Sequence, residues 1–169
     1  TSYVSVNDTV GAAVWNQLDA ATSTTGEKYL WVDIAGGIRT SATTGKVAGT
    51  NSPVIQFDGS NNSISRWSFS VPDDWVAATD MTMDVYWSPS DGTAGDVVYG
   101  LNYASFASGT TVAAGSFTAL SNTVAAPGVT LQLGISSFTL ASANLGANRM
   151  ADITLNRDPT VGADTYSGN

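Results

Sequence analysis

Apolar and polar residues alternate along three runs between residues 64 and 103. The runs are Ile64-Ser-Arg-Trp-Ser-Phe-Ser-Val71, Met81-Thr-Met-Asp-Val-Tyr-Trp87 and Val97-Val-Tyr-Gly-Leu-Asn-Tyr103. Successive side chains of an extended chain point to opposite faces, so a period of two marks a half-buried β-strand. Trp67, Phe69 and Val71 then share one face, and Met81, Met83, Val85 and Trp87 share another. Tyr99 and Tyr103 run in phase with Val97 and Leu101. Rings mixed with aliphatic residues on one strand face read as core rather than as a sugar-stacking platform. Tyr86 falls on the opposite face of its strand and is the better candidate for a subunit contact.

The same patterning predicts further strands over 29–34, 53–57, 115–125, 129–140 and 149–157. In the 129–140 run, Val129, Leu131, Leu133 and Ile135 share a face, and in the last run Ala151, Ile153 and Leu155 do. Gly36-Gly37, Asp58-Gly-Ser-Asn-Asn62, Pro72-Asp-Asp-Trp75 and Pro89-Ser-Asp-Gly92 punctuate the strands with turn chemistry. Residues 39–52, rich in Thr, Gly and Ser, read as a long surface loop or extended arm. Before the strands, Val10, Val14, Leu18 and Ala21 recur at helical spacing beside Trp15, behind a cap at Asn7 or Asp8.

Taken together, the patterning predicts an all-β chain: a jelly-roll-like β-sandwich of about eight antiparallel strands, preceded by one short N-terminal amphipathic helix. Residues 1–26 form the helix and linker, a candidate anchor, and residues 27–169 form the β-sandwich domain.

Composition narrows the function. The chain of 169 residues has no His and no Cys, so it cannot itself build a Ser-His-Asp triad, a Cys-His dyad or a His- or Cys-ligated zinc site. Its net charge of −8 comes from 14 acids against six scattered Lys and Arg. That balance argues against nucleic acid and against an anionic membrane as partners, since both require clustered cations. No apolar run approaches the roughly 18 residues that span a bilayer, and no charged-then-apolar leader pattern opens the chain.

The acids remain as candidate chemistry, because two carboxylates can run glycoside hydrolysis. Most sit in turns: Asp58 and Asp91 before Gly, Asp73 and Asp74 after Pro, and Asp158 before Pro. Asp84 lies within a strand but opposite Met83 and Val85, so it should point outward. Asp58–Asn62 and Asp158–Asp164 are oxygen-rich loops that could attract calcium, yet neither has the spaced acidic pattern of an EF-hand. Phosphate-cradle glycine motifs are missing. The expectation is therefore no catalytic residue, no metal ligand and no cofactor.

A resemblance sharpens this reading. Trp67-x-Phe-x-Val-Pro-Asp-Asp-Trp75, the 80–88 strand and Gly95-Asp-Val-Val-Tyr-Gly-Leu101 together resemble β-jelly-roll structural proteins of tailed bacteriophages. Leu155-Asn-Arg-Asp-Pro-Thr-Val-Gly-Ala-Asp-Thr-Tyr-Ser-Gly168 is similar to the Arg-x-x-x-Asp-Ala-Asp-Thr-Tyr-x-Gly-Asp segment that precedes the last strand of such chains. The opening Tyr3-Val and Trp15-Asn-Gln-Leu helix is similar to the one that begins many phage head and tail accessory proteins. Members usually continue with one more apolar strand, whereas this sequence stops at Asn169, so the expectation is that the strand is missing or supplied by a neighbouring chain.

The resemblance implies a non-enzymatic virion component on the capsid exterior or tail. Its expected form is a homotrimeric capsid decoration, or cement, protein whose partners are itself and the major capsid protein or another virion protein. The alternative is a tail-fibre or tail-spike domain that binds host receptor or carbohydrate. A carboxylate glycosidase domain is the third reading.

Overall fold

The computed structural model describes residues 37–46, 53–76, 78–112 and 117–168. The expected helix over residues 7–22 and the strand over 29–34 lie outside these. The described residues include nine strands and a short 3-10 turn at Ser142–Asn144. The strands are β1 (Ile38–Thr40), β2 (Thr43–Lys46), β3 (Pro53–Gln56), β4 (Ser63–Ser70) and β5 (Met81–Trp87), followed by β6 (Asp96–Phe106), β7 (Thr118–Ala125), β8 (Gly134–Leu140) and β9 (Met150–Arg157). All pairings between these strands are antiparallel. The all-β class read from the sequence therefore holds. Residues 39–52 depart from the loop expectation in their described part, where β1 and β2 form and β2 pairs with β3.

A five-stranded sheet runs β1-β4-β9-β6-β7, and β5 pairs with β8 in a separate ribbon. The pairings are nested: β6 with β7, β5 with β8, and β4 with β9. The chain thus forms one long two-stranded antiparallel ribbon that bends between layers. At one bend, 71–80 runs beside 141–149, held by Val71 N–H donating to Arg149 O (2.8 Å) and Ser142 N–H donating to Asp80 Oδ1 (2.8 Å). At the other, 88–95 runs beside 126–133, held by Ala126 N–H to Gly95 O (2.7 Å) and Leu131 N–H to Pro89 O (3.0 Å). Pairing of β6 with β9 then closes the larger sheet. The Asn122 side chain donates to Ser137 O (2.9 Å), tying β7 to β8 where the two layers meet.

The core lies between the layers. Trp67, Val71, Val97, Tyr99, Leu101, Tyr103, Ala151, Ile153 and Leu155 from the larger sheet meet Phe138 and Leu140 of β8. Phe69, Met81, Met83, Val85 and Trp87 are half-buried against them. Every strand face read as core from its alternation between 64 and 103 is therefore turned inward.

The 129–140 run behaves differently from its pattern. Its strand begins only at Gly134, and the inward residues are Ser136, Phe138 and Leu140, so Ile135 faces out. Two local features enforce the inversion. Leu131 adopts a positive φ of 60°, which breaks the extended chain inside the apolar run. Trp87 lies directly over Gly134, where a Cβ would come within 2.9 Å of its ring, and its indole N–H donates to Ser136 Oγ (3.1 Å). The bulk of Trp87 therefore selects Gly134 and Ser136 as its inward partners, and Phe138 and Leu140 follow in the same phase. Val129, Leu131, Leu133 and Ile135 are left exposed.

Candidate functional site

The densest polar construction in the described residues lies at residues 157–168. In β9, Ala151, Ile153 and Leu155 point inward, and Arg157 continues the same alternating phase, so its guanidinium enters the protein with only 2% of the residue exposed. An isolated charge in that position would be strongly unfavourable, and so it is matched. Nη2 of Arg157 meets Asp164 Oδ1 at 2.9 Å and Nε meets Oδ2 at 3.0 Å, a two-pronged pairing that suits a planar guanidinium and a carboxylate. Nη1 donates to Gly168 O and Nη2 also to Tyr166 O. The Tyr166 ring covers the cation, with the guanidinium carbon 5.3 Å from the ring centre.

Residues 158–163 leave the sheet and 164–168 return to it. An Asx-type turn starts the excursion: Thr160 N–H and Oγ1 both donate to Asp158 Oδ1, at 3.0 and 2.6 Å. On the return, Val98 N–H donates to Asp164 Oδ2 (3.1 Å), Asp96 N–H to Thr165 Oγ1 (2.8 Å), and Thr165 and Tyr166 N–H to Asp96 O (2.9 and 3.0 Å). The segment thereby satisfies the first residues of β6, which extend past the end of β9. Tyr166 OH reaches the loop after β5, donating to Asp91 Oδ1 (3.3 Å) and accepting from Asp91 N–H (3.3 Å).

Two glycines make room for it. A Cβ at Gly95 would lie 2.8 Å from Thr165 O, and one at Gly59 would lie 2.6 Å from Ser167 O.

Chemically this cluster is saturated. Both oxygens of Asp164 already accept hydrogen bonds from Arg157 and Val98, and each nitrogen group of the guanidinium donates. A carboxylate so engaged is not placed to act as a base or to ligate an ion. The arrangement clamps residues 164–168 to β6 and to the loops beside it.

The other acids singled out in the sequence lie apart from this cluster or at its rim. Asp58 caps its own turn, accepting from Ser60 N–H (2.6 Å) and Asn61 Nδ2 (2.9 Å). Those bonds, the Asn61 one foremost, hold its carboxyl below the ordinary carboxylate range. Asp91 is held low in the same way, chiefly by Thr93 N–H. Asp84 points outward, as expected, and accepts from Ser137 Oγ across the ribbon (2.6 Å). Of the two oxygen-rich loops, the first is occupied by its own amides and the second by the Thr160, Asn62 and Arg157 donors. No group of three or more acids that could hold a metal occurs among the described residues.

The aromatic residues form the wall beside the clamp. Tyr99 is 5% exposed and stands edge-on to Trp87 (5.7 Å) and Phe57 (6.0 Å). Burial pushes its phenol well above its ordinary pKa of 10.0. The folded state therefore holds this proton more tightly than the unfolded chain. The stability it contributes is complete below pH 10.0 and is lost as pH rises from there through the folded value. Tyr99→Phe is accordingly expected to move the alkaline unfolding transition, followed by circular dichroism against pH, to higher pH. An unchanged transition would place the cause of alkaline unfolding elsewhere.

Comparison with protein-family models, with curated proteins and with solved structures gives no match for this chain. The site must be read from its own geometry.

The role of Arg157 was only partly visible in the sequence. Its segment carried part of the phage resemblance, but the burial of the guanidinium was not anticipated. The available signal was its phase: Arg157 sits two residues beyond Leu155 on a face otherwise apolar, and charged residues enter such faces only with partners.

Proposed function

We propose that this chain is a non-enzymatic structural protein of a tailed-bacteriophage virion, a jelly-roll that assembles as a homotrimer and decorates the capsid lattice. One observation carries the reading. The 157–168 segment, on which much of the resemblance rests, uses all of its charged groups to hold the fold: Arg157 and Asp164 on each other, and Asp158 on Thr160 and Asn62. Residues arranged this way build shape and perform no chemistry.

The nested strand pairing supports the finer fold assignment. A long antiparallel ribbon folded over so that its two arms enter both layers is how a jelly-roll is constructed. A β scaffold in which Asp58, Asp91 and Asp158 cap turns and Asp84 and Asp164 brace strands suits a protein that presents surfaces.

Immunogold labelling of purified particles, with antibody raised against the recombinant chain, tests the assignment. Label spread over capsid facets is the expected result. Label confined to the tail would replace the capsid role with a fibre or spike role, and particles carrying no label would overturn the virion reading.

A further inference from the structure

The five-stranded sheet ends on β7, and nothing among the described residues pairs with the outer edge of that strand. One bond fixes the phase of the edge. Ala126 N–H donates to Gly95 O (2.7 Å), continuing the register in which Asp96 stands opposite Ala125. Hydrogen-bonded pairs alternate along an antiparallel ladder, so Val124, Asn122, Leu120 and Thr118 direct their backbone groups to β6. Ala119, Ser121, Thr123 and Ala125 direct theirs away. Val98, opposite Thr123, agrees: its N–H turns from β7 to Asp164. The same four residues of β7 are exposed, so four N–H and four C=O groups line an open edge.

Proteins ordinarily block such an edge with Pro, Lys, an inward charge or a bulge, or keep it short. The opposite edge of the sheet, β1, has three residues. β7 has eight, Thr-Ala-Leu-Ser-Asn-Thr-Val-Ala, with no charge and no Pro, and its register with β6 runs unbroken. The edge itself states the chemistry of its occupant. Donors and acceptors alternating along an extended backbone are matched in full by another extended polypeptide, added as the next strand.

Among such strands, β7 matches its own copy. With two β7 strands antiparallel about a two-fold axis at Asn122, Ala119 meets Ala125 and Ser121 meets Thr123 of the second copy. All four edge residues are then bonded at once, and hydroxyl faces hydroxyl, a favourable cross-strand pair. A slip of one residue would set these groups against backbone already committed to β6, so the register is specified. Leu120 and Val124, half-buried on the inner face, would be covered further. The contact is isologous and closes on itself.

We infer that β7 pairs edge to edge with β7 of a second copy, continuing the sheet across two chains. The inference goes beyond the virion reading and does not depend on it: the contact joins two chains, or two trimers where the trimer forms.

Sedimentation velocity on the full chain over the micromolar range tests it. The wild type should form a dimer, or a hexamer of paired trimers. Thr123→Pro removes an N–H that β6 does not use and should abolish the pairing step. Two charge variants leave the strand intact. Ser121→Lys with Thr123→Lys sets like charges opposite each other across the axis, whereas Ser121→Lys with Thr123→Glu sets opposite ones. The first should pair at least about fivefold more weakly than the second.

A wild type that stays a monomer or a bare trimer would overturn the inference. So would pairing that survives Thr123→Pro, or charge variants that pair equally well, since a partner other than β7 itself would not read the swap. Particle labelling is independent of these results, so failure here leaves the virion reading standing.

Discussion

Arg157→Ala is expected to destabilise the protein by about 3–5 kcal/mol, the usual cost of removing one partner of a buried ion pair. For a chain of this length that corresponds to a fall in melting temperature of roughly 6–20 °C. Three effects combine. The Asp164 carboxylate, whose side chain is 0% exposed, would be left charged and unmatched. The carbonyls of Tyr166 and Gly168 would lose their donor. The Tyr166 ring would lose the cation beneath it. Urea or thermal denaturation measures the loss.

A companion variant separates charge from volume. Arg157→Met with Asp164→Leu removes both charges and keeps apolar bulk, and it should recover the part of the loss that comes from the unmatched carboxylate, while the Val98 N–H and the carbonyls of Tyr166 and Gly168 remain without their partners. A loss near zero for Arg157→Ala would mean that the 158–168 segment is not held by this pair.

The clamp also explains how residues 164–168 contribute to the fold. Residues 164–166 supply hydrogen bonds to Asp96 and Val98, positions that β9 does not reach because its register with β6 ends at Tyr99 and Arg157. Released, the segment would leave the buried Val98 amide of β6 without its acceptor, at a cost of about 1–3 kcal/mol. The damage from Arg157→Ala should thus spread to β6, and hydrogen exchange at Val98 should rise together with exchange at Thr165 and Tyr166.

Most of the architecture was legible because it is written in alternation. Trp67, Val71, Leu101, Tyr103 and Ile153 are inward for the reason the pattern gives: a half-buried strand puts every second residue into the core. The turn at Asp58–Asn62 was equally readable, since Asp and Asn side chains reproduce a backbone turn by bonding to amides two or three residues on.

What failed was non-local. Alternation specifies a face but not which face wins, and in β8 the choice fell to Trp87 on a different strand. The 38–46 strands escaped notice because Thr, Ser and Gly look alike in loops and at sheet edges, and pairing with β4 and β3 decided between them. The clamp brings together Arg157, Asp164, Tyr166, Val98 and Asp91. Only the first three are neighbours in sequence, so no local pattern could assemble the site.

Tyr103 offers the second large effect, and its two halves can be told apart. The residue is fully buried in β6, with its ring in the core between the layers. Its hydroxyl accepts from Ala141 N–H (2.8 Å) and from Asn144 Nδ2 (3.3 Å), both in the linker that carries the chain from the ribbon back to β9. The ring supplies apolar burial, and the hydroxyl fixes the bend of the folded ribbon. Tyr103→Phe keeps the ring and should cost about 1–3 kcal/mol, mainly because the Ala141 N–H loses its acceptor. Tyr103→Ala removes both and opens a cavity, for a loss of about 3–5 kcal/mol or more. The difference between the two variants measures the packing of the layers, and the Phe variant alone measures the bend. If Tyr103→Phe proved neutral, the linker would be held by Asp80 and the 3-10 turn instead, and Asp80→Ala, which removes the acceptor of Ser142 N–H, should then show the larger loss.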